Sequence, residues 1–198
     1  LKKDFDTVFM SYIQDAFGKS EKEEDLRFVD RIYKLSEPKP NVRAIMSFIN
    51  EMVSLRQQWS VKDIPLVHIA VYLIGKSEFE KDPIDAILNA SYLDKLGGLV
   101  KKDIKFQNSV SALYYGVDVS DALQIPLEEF INGCIDGKGE INTYADNKNF
   151  LFVLNNVIDF IDATKIDSTI KTIDHINSNV PRSIWLKLAT RKKEAGIK

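Results

Sequence analysis

The chain has 198 residues, enough for one large domain or two small ones, and its 44% hydrophobic and 28% charged content is ordinary for a globular protein. Its 27 basic and 29 acidic residues give a net charge of −2, which supplies no overall attraction to nucleic acid or acidic membranes. The longest apolar run, Ile64 to Gly75, is interrupted by Pro65 and His68 and is too short to span a bilayer, so we expect no membrane segment in this chain.

Helical spacing begins at the start of the chain. Apolar residues recur at helical intervals from Leu1 to Phe17, and Gly18 ends this first helix. Ser20, with Glu23 three residues later, predicts a capping box at the start of a second helix. Because the chain opens on a leucine already within a helical pattern, we expect it to be a fragment of a longer protein.

A third helix has the sharpest start. The prolines in the segment Glu37–Pro40 end the second helix, since they remove backbone donors and fix φ. Asn41 is then the predicted N-cap of a long amphipathic helix that runs to Trp59. Its first turn contains Arg43, whose guanidinium adds positive charge to a helix end that already favours anions.

The rest of the chain continues as helices and turns. Pro65 predicts the start of a nearly all-apolar helix from Leu66 to about Glu80, and Pro83 the start of another. Gly116 ends a later helix, and Asp136–Gly139 is the clearest turn cluster. Alternation typical of strands is nearly absent. The sequence therefore predicts an all-α fold, a multi-helix bundle of about nine or ten helices.

A weak domain boundary is expected at Gly133–Gly139. It separates a helical region at 1–132 from a C-terminal helical subdomain at 140–198. A single domain over the whole length is the alternative.

ATP binding requires a glycine-rich loop that surrounds phosphate with backbone N–H groups. The tripeptide Gly-Lys-Ser occurs at Gly18–Ser20 and at Gly75–Ser77, but the first glycine of the motif is replaced by Ile13 in one case and Ala70 in the other. We interpret both matches as coincidences. Walker A and Walker B are missing, so we expect no catalytic residues and no enzyme activity in this chain alone.

No metal site is predicted. His68 and His175 are far apart and have no nearby ligand spacing, so we expect His68 in the core or at its boundary and His175 on a helix surface. Cys134 is the single cysteine, which excludes an internal disulfide and fits a reducing, cytoplasmic location. We expect it to be a buried structural residue.

The last helix is basic. A solvated helix end is the ordinary explanation for such a pattern, and nucleic-acid binding is an alternative that we do not favour. The cations are Arg182, Lys187, Arg191, Lys192, Lys193 and Lys198.

The segment from Arg31 to Ile74 resembles the C-terminal helical region of KAP-type P-loop NTPases, which are bacterial ATPases of the STAND or AAA-like kind. The resemblance is carried by Pro40-Asn41-Val42-Arg43-Ala44-Ile45, Phe48-Ile49-Asn50, Val53-Ser54-Leu55 and Ile64-Pro65-Leu66, and becomes loose towards Ile131. In that family a Pro-x-x-Arg-x-Ile-x-x-Phe-Ile-Asn element follows the nucleotide core. The resemblance implies that Arg43 reaches the nucleotide phosphates, and we expect Asn50 to hydrogen-bond within the bundle.

The resemblance implies a nucleotide-state-sensing helical lid or effector region of a larger bacterial P-loop ATPase, not catalytic alone. ATP and Mg²⁺ are then implied only for the full-length parent, and the partner is either the P-loop core of the same chain or another protein. The residues leave two further possibilities. Arg43 could simply pair with a local carboxylate such as Glu37. The chain could also be a free-standing helical protein–protein interaction module, which an exposed apolar patch over Trp59–Ile74 would favour.

Overall fold

The computed structural model of the chain describes residues 5–58, 63–176 and 179–196. Within these ranges it contains α-helices, short 3₁₀ helices and no strand, which confirms the all-α multi-helix prediction. The eleven α-helices of this part of the chain are α1 Phe5–Phe17, α2 Glu23–Ser36, α3 Val42–Arg56, α4 Leu66–Ile74, α5 Lys76–Lys81, α6 Pro83–Leu88, α7 Ile104–Tyr115, α8 Gln124–Ile135, α9 Phe150–Phe160, α10 Ile166–Asp174 and α11 Arg182–Glu194. The 3₁₀ helices are Ser91–Leu96, Ile141–Thr143 and Ala163–Lys165.

The chain divides into two compact units, Leu1–Leu123 and Gln124–Lys198. The first contains α1 to α7 and the second contains α8 to α11. This division precedes the turn at Gly133–Gly139, where the sequence predicted the boundary. The reason is that α8 packs against α9 and α10, so it belongs with the helices that follow that turn.

Helix α4 is central to the first unit, since it packs against α2, α3 and α7. Its residues Ile69, Ala70 and Val71 are fully buried, which explains why the helix is nearly all apolar. Helices α1 and α2 meet through the stacked rings of Phe9 and Tyr33, whose centroids lie 5.1 Å apart. No helix in the described ranges combines the length and apolarity needed to cross a membrane.

Gly75 divides the predicted Leu66–Glu80 helix into α4 and α5. A Cβ atom at Gly75 would lie 2.6 Å from Cε2 of Tyr92, closer than real Cβ contacts come. Tyr92 belongs to the 3₁₀ helix Ser91–Leu96 and is buried. The glycine therefore lets an aromatic ring approach the backbone between the two helices.

Several helix ends follow their local sequence. The side chain of Asn41 accepts a hydrogen bond of 2.9 Å from the Ala44 N–H, which confirms the N-cap of α3. Gly116 ends α7 with φ +67°, as the sequence indicated. The capping box at Ser20 is wrong, because α2 begins at Glu23 and the Ser20 hydroxyl instead donates to the Phe17 carbonyl at 3.1 Å.

In the second unit α9 packs against both α8 and α11, and α10 also contacts α8 and α11. Arg191 of α11 donates to the carbonyl oxygens of Asp159 and Ile161, the latter at 2.8 Å. These carbonyls lie at the C-terminal end of α9, where the helix itself supplies no donors. A side chain from the last helix thus completes α9, and the positive charge also suits the negative end of the helix dipole.

Candidate functional site

Arg43 lies on the exposed side of α3, in the first turn. Its guanidinium makes no hydrogen bond or ion pair with any described residue, so the alternative pairing with Glu37 does not form. The Asn41 side chain and carbonyl accept from Ala44 and Ile45, the next two residues of the helix. The N–H groups ahead of them remain at the positive end of the helix dipole.

Asn50 lies on the same face of α3 as Arg43. The two are seven residues apart, which is about two turns and roughly 10 Å along the axis. The opposite face, with Ile45, Ile49 and Met52, is buried. The expectation that Asn50 bonds within the bundle is wrong, because its side chain is exposed and has no partner among the residues described. In the family-like element, which runs from Pro40 to Asn50, the arginine and the asparagine of the motif therefore both face outwards.

Neither Gly-Lys-Ser tripeptide forms a phosphate loop. The segment before Gly75 is the helix α4 rather than a strand, and Tyr92 covers the glycine backbone. Gly18 follows the last residue of α1, and its N–H donates to the Gln14 carbonyl at 2.8 Å, as at the end of a helix. The geometry agrees with our interpretation of both matches as coincidences.

The structure brings together one pair that sequence reasoning missed, His68 of α4 and Ser109 of α7. The His68 Nδ1 lies 2.9 Å from the Ser109 Oγ. Ser109 is almost fully buried, and its hydroxyl donates to the Lys105 carbonyl at 2.8 Å. A hydroxyl has one proton, so Oγ must accept from Nδ1–H, and Nε2 is the nitrogen that carries no proton.

This histidine–serine pair is not arranged for nucleophilic catalysis. A general base must accept the serine proton, whereas the nitrogen facing Ser109 here carries a hydrogen. Burial lowers the pKa of His68 to about 4, with the nearby Asp103 carboxylate opposing the shift and Lys105 adding to it. The imidazole is therefore neutral at pH 7. Its ring also packs edge-on against Phe106 at 5.3 Å, in agreement with the predicted core or boundary position.

Three of the cations of α11 bind groups inside the second unit, whereas Arg182 and Lys193 are exposed and have no partner among the described residues. The Lys187 Nζ lies 2.7 Å from Asp159 Oδ1 and 2.8 Å from Asn155 Oδ1. The Lys192 Nζ lies 2.8 Å from Asp167 Oδ1, while Arg191 holds the end of α9. These partners give Lys187, Arg191 and Lys192 a structural explanation and weigh against nucleic-acid binding through these three residues. The last predicted cation, Lys198, is outside the described residues.

No group of three or more histidine, cysteine or acidic residues suited to a metal ion occurs in the ranges that the structure describes. His175 is exposed at the end of α10, as expected, with its Nδ1 2.6 Å from the Lys171 carbonyl. Cys134 is buried, also as expected, and burial raises the pKa of its thiol to about 11. A thiol that holds its proton this strongly is a poor nucleophile at neutral pH.

The exposed apolar patch that would have indicated an interaction module does not occur in the described part of Trp59–Ile74. Trp59 itself lies outside the described residues, and over 63–74 every large apolar side chain is buried or half-buried. Exposed apolar side chains occur elsewhere: Phe152 and Phe160 of α9 are 57% and 89% exposed.

Comparison with protein-family models, with curated proteins and with solved structures finds no match to this chain. The clearest outward-facing polar group within the family-like element is Arg43, on a helix whose opposite face is fixed in the core.

Proposed function

We propose that the chain is the nucleotide-state-sensing helical lid or effector region of a larger bacterial, cytoplasmic P-loop ATPase, not catalytic alone. ATP and Mg²⁺ would be bound by the core of the parent protein. The observation that supports this proposal is the exposed, unpaired guanidinium of Arg43 in the first turn of α3, among the residues described. An arginine without an internal partner is available to an external anion.

The proposed mechanism follows from the two faces of α3. The guanidinium of Arg43 and the first-turn N–H groups attract the γ-phosphate of a nucleotide held by the core. Ile45, Ile49 and Met52 fix the same helix against α1 and α4. Loss of the γ-phosphate removes the attraction at one end of α3, and the packed face passes the resulting movement to the rest of the first unit.

The test is Arg43→Ala in the full-length gene product that contains this chain. We expect ATP turnover, or its coupling to the partner, to fall about tenfold or more, because a cation at the transferred phosphate is lost. The free energy of unfolding should change by less than about 0.5 kcal/mol, since the side chain is exposed and unpaired.

Arg182→Ala is the matched control, because Arg182 is also an exposed arginine in the first turn of a helix. It should leave turnover and coupling unchanged. Unchanged turnover and coupling in Arg43→Ala would contradict the proposal, and so would a gene product with no Walker A and Walker B upstream of this chain.

A second candidate function is a helical protein–protein interaction module. The observation that favours it is the exposure of two large apolar side chains on α9, Phe152 at 57% and Phe160 at 89%, which are accessible to a partner. A Phe152→Ser/Phe160→Ser double variant should then lose a purified partner that the wild-type chain binds in calorimetry. Equal binding by both proteins would remove this candidate.

A further inference from the structure

One surface segment of the first unit has a charge opposite to that of the whole chain. We call residues Lys95–Lys105, which join the 3₁₀ helix Ser91–Leu96 to α7, the basic loop. It contains four lysines and one aspartate, 4 − 1 = +3, so the other residues of the chain total −2 − 3 = −5. The positive charge is therefore local, and the net charge of the chain conceals it.

The lysines of the basic loop are all exposed at the surface of the first unit. The Lys102 Nζ lies 2.9 Å from Asp94 Oδ1, which holds the end of the loop against the residue preceding Lys95. Lys95, Lys101 and Lys105 are exposed and make no ion pair with any residue in the described ranges. Three ammonium groups thus remain free for an external anion.

The single carboxylate of the basic loop, that of Asp103, does not neutralise these lysines by pairing. The Asp103 Oδ1 accepts a hydrogen bond of 2.9 Å from the Phe106 N–H as the N-cap of α7. Next to it, Ile104 is 39% exposed in the first turn of the helix. Gly97 and Gly98 have positive φ and open space where a Cβ would lie, so the loop backbone is accessible at these two residues.

We propose that the basic loop docks the first unit on a membrane surface that carries anionic lipid headgroups. The unpaired ammonium groups of Lys95, Lys101 and Lys105 attract the headgroups, and the exposed Ile104 enters the boundary between headgroups and acyl chains. A nucleic acid is the less suitable anion. Within the loop the only cationic side chains are lysines, and no aromatic, arginine or amide side chain is present to stack on bases or read them.

The test uses the 198-residue chain and sedimented vesicles at low salt. We expect binding to vesicles with one-third phosphatidylglycerol and none to pure phosphatidylcholine. Each lysine near an anionic surface contributes about 1 kcal/mol, or about fivefold in partitioning, so Lys95→Gln/Lys101→Gln/Lys105→Gln should weaken binding about a hundredfold. Ile104→Gln should weaken it by about fivefold or more while leaving the dependence on salt unchanged.

The matched control is Lys19→Gln/Lys39→Gln/Lys148→Gln, which removes the same charge from exposed lysines outside the basic loop. It should bind the anionic vesicles within about threefold of the wild-type chain. The proposal is overturned if the wild-type chain does not sediment with anionic vesicles at low salt, or if both triple variants lose binding equally. It is also overturned if the loop variant loses affinity for a DNA or RNA duplex but not for vesicles. Circular dichroism verifies that every variant is folded.

Discussion

Acidification should destabilise the first unit through His68, well before its carboxylates are protonated. The pKa of His68 is about 4 in the folded chain because its ring on α4 is half-buried against α7, against an ordinary value of 6.5. The unfolded chain therefore binds the extra proton first as the pH falls. Folded-state stability is constant above pH 6.5, decreases from there, and has lost the whole contribution below pH 4.

The size of this loss of stability follows from the difference in the proton affinity of His68 between the folded and unfolded chain. Each tenfold difference corresponds to 1.36 kcal/mol, so the complete loss would be about 3 kcal/mol, and about 2 kcal/mol of it would fall between pH 7 and pH 5. The ring is half-buried, so solvent screening reduces the expected loss over that interval to roughly 1 to 2 kcal/mol. Protonation at Nε2 leaves the hydrogen bond to Ser109 in place, and the cost arises from the buried charge.

Urea unfolding followed by circular dichroism, repeated at intervals from pH 7.5 to pH 5, measures this effect. His68→Gln keeps a donor towards Ser109 but cannot take up a proton, so its free energy of unfolding should be flat over the interval. His175→Gln removes the other histidine, which is exposed, and should keep the slope of the wild-type chain. A flat wild-type profile, or a His68→Gln profile as steep as that of the wild type, would show that proton uptake by His68 does not destabilise the first unit over this interval.

Three further predictions concern single side chains. Gly75→Ala should lower the free energy of unfolding by about 1 to 3 kcal/mol, because its methyl group would meet the ring of Tyr92. Gly133→Ala, whose methyl group would have nothing within 4 Å, should raise the free energy of unfolding by up to about 1 kcal/mol, and urea titrations compare the two variants. Cys134 should resist a thiol reagent at pH 8 in the folded chain and react rapidly in urea, and fast labelling of the folded chain would contradict its burial. Arg191→Ala should lower the free energy of unfolding by about 2 kcal/mol and speed amide hydrogen exchange at the end of α9. Unchanged exchange there would show that the two hydrogen bonds from Arg191 do not stabilise this helix end.

Features of the fold that depend on neighbours in sequence could be predicted from the sequence. Asn41 and Gly116 mark helix ends by local geometry alone, a side-chain cap in one case and a positive φ in the other. The Ser20 hydroxyl could bond either to a backbone N–H at the start of α2 or to a carbonyl at the end of α1. In the structure it bonds to the carbonyl of Phe17 in α1. The division at Gly75 could not be predicted, because the ring that requires a glycine there belongs to Tyr92, seventeen residues away.

The candidate site shows the same limit. The exposure of Arg43 followed from the helical pattern, whose apolar positions assign Ile45 and Ile49 to the core. The His68–Ser109 contact joins residues 41 positions apart on two helices, and no spacing rule predicts such a contact. The only sequence signal for this contact is a polar residue, Ser109, at a buried position of α7 beside Val110. The role of Arg43 stays a prediction.

The hydrogen bonds from Arg191 to the end of α9 also affect the order in which the second unit folds during synthesis. A ribosome releases α9 about thirty residues before Arg191, and until that residue emerges the carbonyls of Asp159 and Ile161 have only water as a donor. The second unit is therefore assembled late, when its last helix reaches back to an earlier one. A chain truncated between α10 and α11 should be cut by protease near residue 160, and the 198-residue chain should resist the same protease.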